Sequence, residues 1–92
     1  MKRKVRKVGK YLVVDPRVCF GRLTFRGTRV PVETVMTFIS MGDSVDEILE
    51  GWPELKREAV VEAIKLASEA LVEKSGAKRL FPDELARTGR SA

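Results

Sequence analysis

Ninety-two residues make one small domain with a limited core, so the chain is marginal alone or gains stability from a partner. Histidine is absent and there is one cysteine, which removes the commonest general base and metal ligand and any internal disulfide. The net charge of +5 is divided unevenly: residues 1–32 hold ten basic groups and one acid, residues 33–73 three basic groups and ten acids, and the remainder five basic groups and two acids.

An apolar content of 43% supports a folded core, and no apolar run approaches a membrane span or a signal-peptide core. A cytoplasmic, soluble protein is expected. Asn and Gln are absent while Lys, Arg and Glu are frequent, a balance that resembles a thermophile composition. With no cofactor loop, no metal-ligand cluster and no histidine, the expectation is a non-enzyme without catalytic residues, metal or cofactor. Any anionic partner should meet the basic ends of the chain rather than its acidic middle.

Met1–Lys10 carries six Lys/Arg and no acid, and reads either as a frayed terminus or as a basic arm lying along phosphates. Tyr11–Val14 is rich in β-formers and ends at the turn initiator Asp15-Pro16; Leu23–Phe25 is a second strand. The two are expected to form a ribbon with an irregular link through Gly21. Such a ribbon is marginal alone and must pack on helices or pair with a second chain through Tyr11, Val13, Leu23 and Phe25, giving a homodimer with shared sheet edges. Cys19, beside Phe20, reads as a small buried apolar side chain. Gly27 suits a positive φ, and Val30-Pro31 leads into a helix whose first turn holds Glu33.

Val32, Val35, Met36 and Ile39 repeat at helical spacing until Gly42. Ser44-Val45-Asp46-Glu47 is a capping box before a short second helix, which ends at Gly51-Trp52-Pro53. The third helix has an apolar stripe of Val60, Ala63, Ile64, Ala67 and Leu71, with Glu58 and Glu62 on its outer face, and terminates at Ser75-Gly76. The chain is thus divided into a basic arm (1–10), a single domain (11–76) and a tail (77–92). Within the domain lie a ribbon over 11–30 and helices over about 31–41, 44–51 and 56–73.

Three constellations bear on function. The second and third helices have a helix-turn-helix layout, but a recognition helix showing Glu58, Glu62 and Glu69 repels phosphate, and only Lys56 and Arg57 in its first turn suit a groove. The arm and ribbon offer Lys2, Arg3, Lys4, Arg6, Lys7, Lys10, Arg22, Arg26 and Arg29 to nucleic acid, as β-ribbons do, although Arg29 also suits an ion pair with an acidic helix. In the tail, Arg79, Arg87 and Arg90 alternate with Leu80, Phe81 and Leu85, as in a segment that is disordered alone and orders on a partner.

Asp15-Pro16-Arg17-Val18-Cys19-Phe20-Gly21 and Phe25-Arg26-Gly27-Thr28-Arg29-Val30-Pro31-Val32 resemble the signature of the domain-of-unknown-function 433 family. The resemblance continues through Gly42-Asp43-Ser44, Glu47-Ile48-Leu49, Trp52-Pro53-Glu54-Leu55 and Val60-x-x-Ala63-Ile64. It implies a mainly α fold: a short N-terminal β-ribbon followed by a three-helix, homeodomain-like bundle. It also implies a prokaryotic protein, commonly dimeric. Members of the family are often regarded as antitoxins of type II toxin–antitoxin pairs, binding a PIN-type nuclease toxin and often operator DNA. Leu23 stands where the family often has proline, and Lys56 where a Ser/Thr cap often opens the third helix.

The resulting expectation is an antitoxin whose tail (Arg79, Leu80, Phe81, Leu85, Arg87, Arg90) neutralises a PIN-type toxin encoded by the adjacent gene, while the ribbon and arm contact DNA. The alternative is a structural interaction module with no nucleic-acid role, forming homo-oligomers through its ribbon.

Overall fold

The computed structural model describes residues 4–77. In chain order the elements are β1 (Arg6–Val8), β2 (Leu12–Val14), a 3-10 turn (Cys19–Gly21), β3 (Leu23–Phe25), α1 (Val32–Ser40), α2 (Val45–Gly51) and α3 (Arg57–Ser75). The strands form one antiparallel sheet in the order β1-β2-β3. Among the expected site residues, Lys2 and Arg3, and the tail residues Arg79, Leu80, Phe81, Leu85, Arg87 and Arg90, lie outside the described residues.

The sheet has three strands, not the expected two. Part of the presumed arm pairs with β2, with Arg6 opposite Val14, Lys7 opposite Val13 and Val8 opposite Leu12. A basic composition obscures this strand, because only Val8 packs against the core while Arg6 and Lys7 are exposed. The turn between β1 and β2 needs Gly9 at φ +64, in the left-handed region.

Register decides the two faces of the sheet. Leu12 pairs with Phe25 across β2 and β3, and both belong to the core with Val30, Val32, Val35, Ile48, Leu55, Ala59, Val60 and Ala63. Phe25 is 1% exposed. Its side chain, placed at a dimer interface by sequence reasoning, instead anchors a single chain, with Tyr11 and Leu23 packed against the same core. Val13, paired with Thr24, lies on the opposite face.

The helix boundaries agree with the sequence expectations to within about two residues. The capping box of α2 is complete: Ser44 Oγ accepts from the Glu47 N–H at 3.1 Å, and the Ser44 N–H donates to Glu47 Oε1 at 2.7 Å. Gly76 closes α3 at φ +73. Lys56 gives α3 no side-chain cap, as its substitution for Ser/Thr implies. Pro31 is the residue before α1 rather than its first, and it also bridges Thr24 at the edge of the sheet.

The apolar stripe of α3 outruns the core. Val60 and Ala63 are buried and Ile64 packs at the margin, whereas Ala67 is exposed and Leu71 is 67% exposed. Periodicity reports an apolar face but not how far the neighbouring elements extend along it.

Glu62 does not belong to the solvent face either. Its carboxylate receives the Lys10 N–H on Oε2 and the Tyr11 N–H on Oε1, both at 2.8 Å. Two charge-assisted bonds therefore fasten the β1–β2 turn to α3 across more than fifty residues of sequence. Chiefly through the Lys10 amide, with the Tyr11 amide adding to it, the bonds hold the Glu62 carboxyl below its ordinary value. A Cβ on Gly9 would stand 2.7 Å from both Cδ and Oε2 of Glu62.

Because the folded value is lowered, the stabilisation is present above the ordinary glutamate range and is lost as pH falls through the folded value. Glu62→Ala should cost about 2 kcal/mol at neutral pH, and its urea midpoint should fall less than the wild type's between about pH 5 and pH 3. Gly9→Ala must displace the carboxylate as well as strain the turn. It should therefore cost less in the Glu62→Ala background than alone, which a double-mutant cycle measures.

Candidate nucleic-acid interface

The face of the sheet turned away from the helices carries Lys7, Val13 and Thr24 in register across the strands. Thr24 is fully buried here, and its hydroxyl reaches the Val13 carbonyl at 3.5 Å. The apolar floor is overlaid by the loops on either side of β3. Together they form an open basin of ≈ 710 Å³ lined by Lys7, Arg17, Arg26 and Arg29, with Asp15 and Glu54 as its acidic groups.

The loop from Phe25 to Val30 explains the Gly-Thr-Arg-Val signature. The Phe25 N–H donates to the Val30 carbonyl at 3.1 Å, closing the loop. The Thr28 hydroxyl donates to the Phe25 carbonyl at 2.8 Å and accepts the Val30 N–H at 3.0 Å. Gly27 supplies φ +82 at the bend. The Arg26 N–H meanwhile donates to the Tyr11 carbonyl at 2.7 Å. The loop thus presents exposed Arg26 and Arg29 from a backbone braced at both ends by hydrogen bonds.

On the opposite wall Asp15 organises Arg17. The Arg17 N–H donates to Asp15 Oδ1 at 2.9 Å, its Nε to the same oxygen at 3.2 Å and its Nη2 to Oδ2 at 3.3 Å. The Arg17 side chain lowers the Asp15 pKa, and Asp15 in turn raises that of Arg17. Arg17 was not among the candidate residues. The local signal was present, since an aspartate two residues before an arginine can form an Asx-type turn and grip the guanidinium.

The 3-10 turn beside this wall is strained. Cys19 and Phe20 adopt φ +49 and φ +58, and Gly21 follows at φ +84. Left-handed backbone costs about 1–2 kcal/mol for each non-glycine residue. Cys19 is half-exposed rather than buried, and its thiol donates to the Arg29 carbonyl at 3.2 Å, joining the turn to the opposite loop. Phe20 is fully exposed. Its exposure depends on the turn's backbone, which residue order does not reveal.

The other basic candidates are distributed differently. Lys4 and Arg6 are exposed near the start of the sheet, and Arg22 follows the 3-10 turn. Lys10 lies over the Tyr11 ring at 5.4 Å, next to α3. Lys56 joins Arg26 in a smaller cavity of ≈ 190 Å³ between the Phe25–Val30 loop and the start of α3. Arg57 is ion-paired with Asp46 of α2. Among the described residues no cluster of three or more Cys, Asp or Glu could hold a metal ion, and no helix is long and apolar enough to cross a membrane.

A short antiparallel sheet leading into three helices, closed by a Gly-Thr-Arg-Val-Pro loop, makes a small, mainly α domain. The chain belongs to the family described as "Protein of unknown function (DUF433)", which matches residues 12–67. It is 43% identical over 54 residues to the uncharacterized protein y4eO of Sinorhizobium fredii, covering 59% of this chain and 23% of that protein. The crystal structure of Rv2018 from Mycobacterium tuberculosis shares the fold at 23% identity and a TM-score of 0.52, over 58% of this chain and 24% of that one. The chain thus spans about a quarter of the length of each of these relatives.

The partners of the arginines predict different sensitivities to substitution. Arg29→Ala should elute from a heparin column at lower salt than the wild type. Arg57→Ala should elute close to the wild type, because its guanidinium is engaged by Asp46, and should change stability by about 0.5 kcal/mol or less.

Proposed function

We propose that this chain acts as an antitoxin of a type II toxin–antitoxin pair, dimeric, binding a PIN-type nuclease toxin and contacting operator DNA through its sheet. The observation that carries the DNA contact is that Lys7, Arg26 and Arg29 line one open basin, in which Arg17 is already paired with Asp15, while most of the acidic residues lie in the helical segment. Family membership supports the antitoxin role in that members of this family are often regarded as antitoxins. The exposed last turns of α3, with Leu71 in the open, lead towards the tail assigned to the toxin.

In this reading α2 and α3, joined through residues 52–56, are a homeodomain-like helix-turn-helix used as scaffold. Its second helix commits Glu62 to the sheet and carries Glu58 exposed in its first turn, so it is a poor groove reader. The sheet supplies the cations instead.

Co-expression with the adjacent gene should yield a complex in which the toxin's nuclease activity is suppressed. Ending the chain at Gly76 should abolish that complex and leave salt-sensitive DNA binding. Replacing Lys7, Arg26 or Arg29 singly by alanine should reduce the salt slope of DNA binding by about one each. A protein that neither captures its neighbour nor binds DNA in low salt contradicts both halves.

A further inference from the structure

The 3-10 turn holds a feature that the basic basin alone does not require. Phe20 stands 102% exposed on left-handed backbone (φ 58, ψ 32), preceded by Cys19 in the same region. A bulky aromatic is a poor choice there: strain and exposure both disfavour it, and asparagine or glycine would relieve both. Backbone strain combined with a wasted apolar surface is the pattern of a residue kept for contact with something else.

The surroundings indicate what that contact is. Val18, one residue before the turn, lines the basin together with Arg17, and the Cys19 thiol bonds the carbonyl of Arg29 on the other side. Arg22 follows, exposed. Protein hot spots sit at the centre of an apolar patch sealed by a rim. Phe20 is instead a single exposed ring on a segment that carries Arg17 before it and Arg22 after it. A lone exposed aromatic on a basic segment at the edge of the basin suits a nucleic-acid strand, whose phosphates meet the cations while a base meets the ring.

We propose that Phe20 is a base-stacking residue, inserting at a base step of the nucleic acid held by Lys7, Arg26 and Arg29. This rests on the reading of the sheet as the nucleic-acid face. The strained turn holds the ring clear of the protein's own surface, so no side-chain rearrangement is needed before contact. The arginines supply a salt-dependent attraction, and the ring supplies one that salt does not screen.

The test uses the full chain and fluorescence anisotropy with a fluorescent 20-base-pair duplex and a single strand of the same length, each across a salt series. Phe20→Ala and Phe20→Asn should weaken binding about tenfold at every salt concentration with the wild-type salt slope, whereas Phe20→Trp should retain affinity. Phe20→Asn should also raise the urea midpoint, since asparagine tolerates the left-handed region, which separates lost contact from lost fold. Loss on the duplex identifies insertion between stacked pairs; loss on the single strand identifies stacking on an unpaired base. Unchanged affinity on both probes, with Arg29→Ala still weakening binding, overturns the stacking role and leaves the basic face standing. Loss of the neighbouring gene product with nucleic-acid affinity intact also overturns it, by assigning the ring to a protein pocket. A wild type that binds neither probe in low salt overturns the nucleic-acid reading and the stacking role with it.

Discussion

The Glu62 carboxylate is the constraint on which the arrangement depends. Strands of three residues do not make a stable sheet alone, and β1 contributes little apolar surface of its own. What locates β1 is the docking of its turn on α3, through the Lys10 and Tyr11 amides. Gly9 is required at that turn both for its positive φ and because a side chain would occupy the space of the carboxylate. The bond is therefore both a fastening and a steric fit. The β1–β2 register then places Lys7 on the face that lines the basin together with Arg26 and Arg29.

From that sheet the polar face follows by register. Alternation along β2 and β3 sends Leu12 and Phe25 into the core and leaves Val13 and Thr24 on the other side. The loops then determine the chemistry of that side. The Phe25 amide and Val30 carbonyl close the loop, and Thr28 engages the remaining Phe25 carbonyl and Val30 amide, so Arg26 and Arg29 project from a braced loop. Asp15 does the same for Arg17 with a carboxylate. The family signature encodes a loop conformation first, and the cations are carried on it.

Helices and their ends are legible in the sequence because their determinants are local. The Ser44–Glu47 capping box, the Gly42 and Gly76 stops and the uncapped start of α3 all follow from side chains within one turn. Gly27 and the core positions Val35 and Val60 are equally readable from turn chemistry and periodicity. Tertiary relations are not legible. Glu62 presents itself as one more surface acid, β1 as one more basic stretch, and Leu71 as a continuation of a buried stripe. Each is decided by a partner distant in sequence or by the limited extent of neighbouring elements. Within the candidate site the arginine loop was visible, whereas Arg17 and Phe20 depend on the geometry of the turn from Asp15 to Gly21.

On the proposed reading, recognition falls to the sheet and the helices hold it in place. Its most direct test is amide chemical-shift mapping of the isotope-labelled chain as duplex DNA is added in low salt. The largest shifts are predicted at Lys7, at residues 17–22 and at residues 26–29, with α3 beyond its first turn unmoved. Shifts concentrated on α3 from Glu58 to Lys65, with the sheet unmoved, would contradict the account and return the recognition role to the helix-turn-helix.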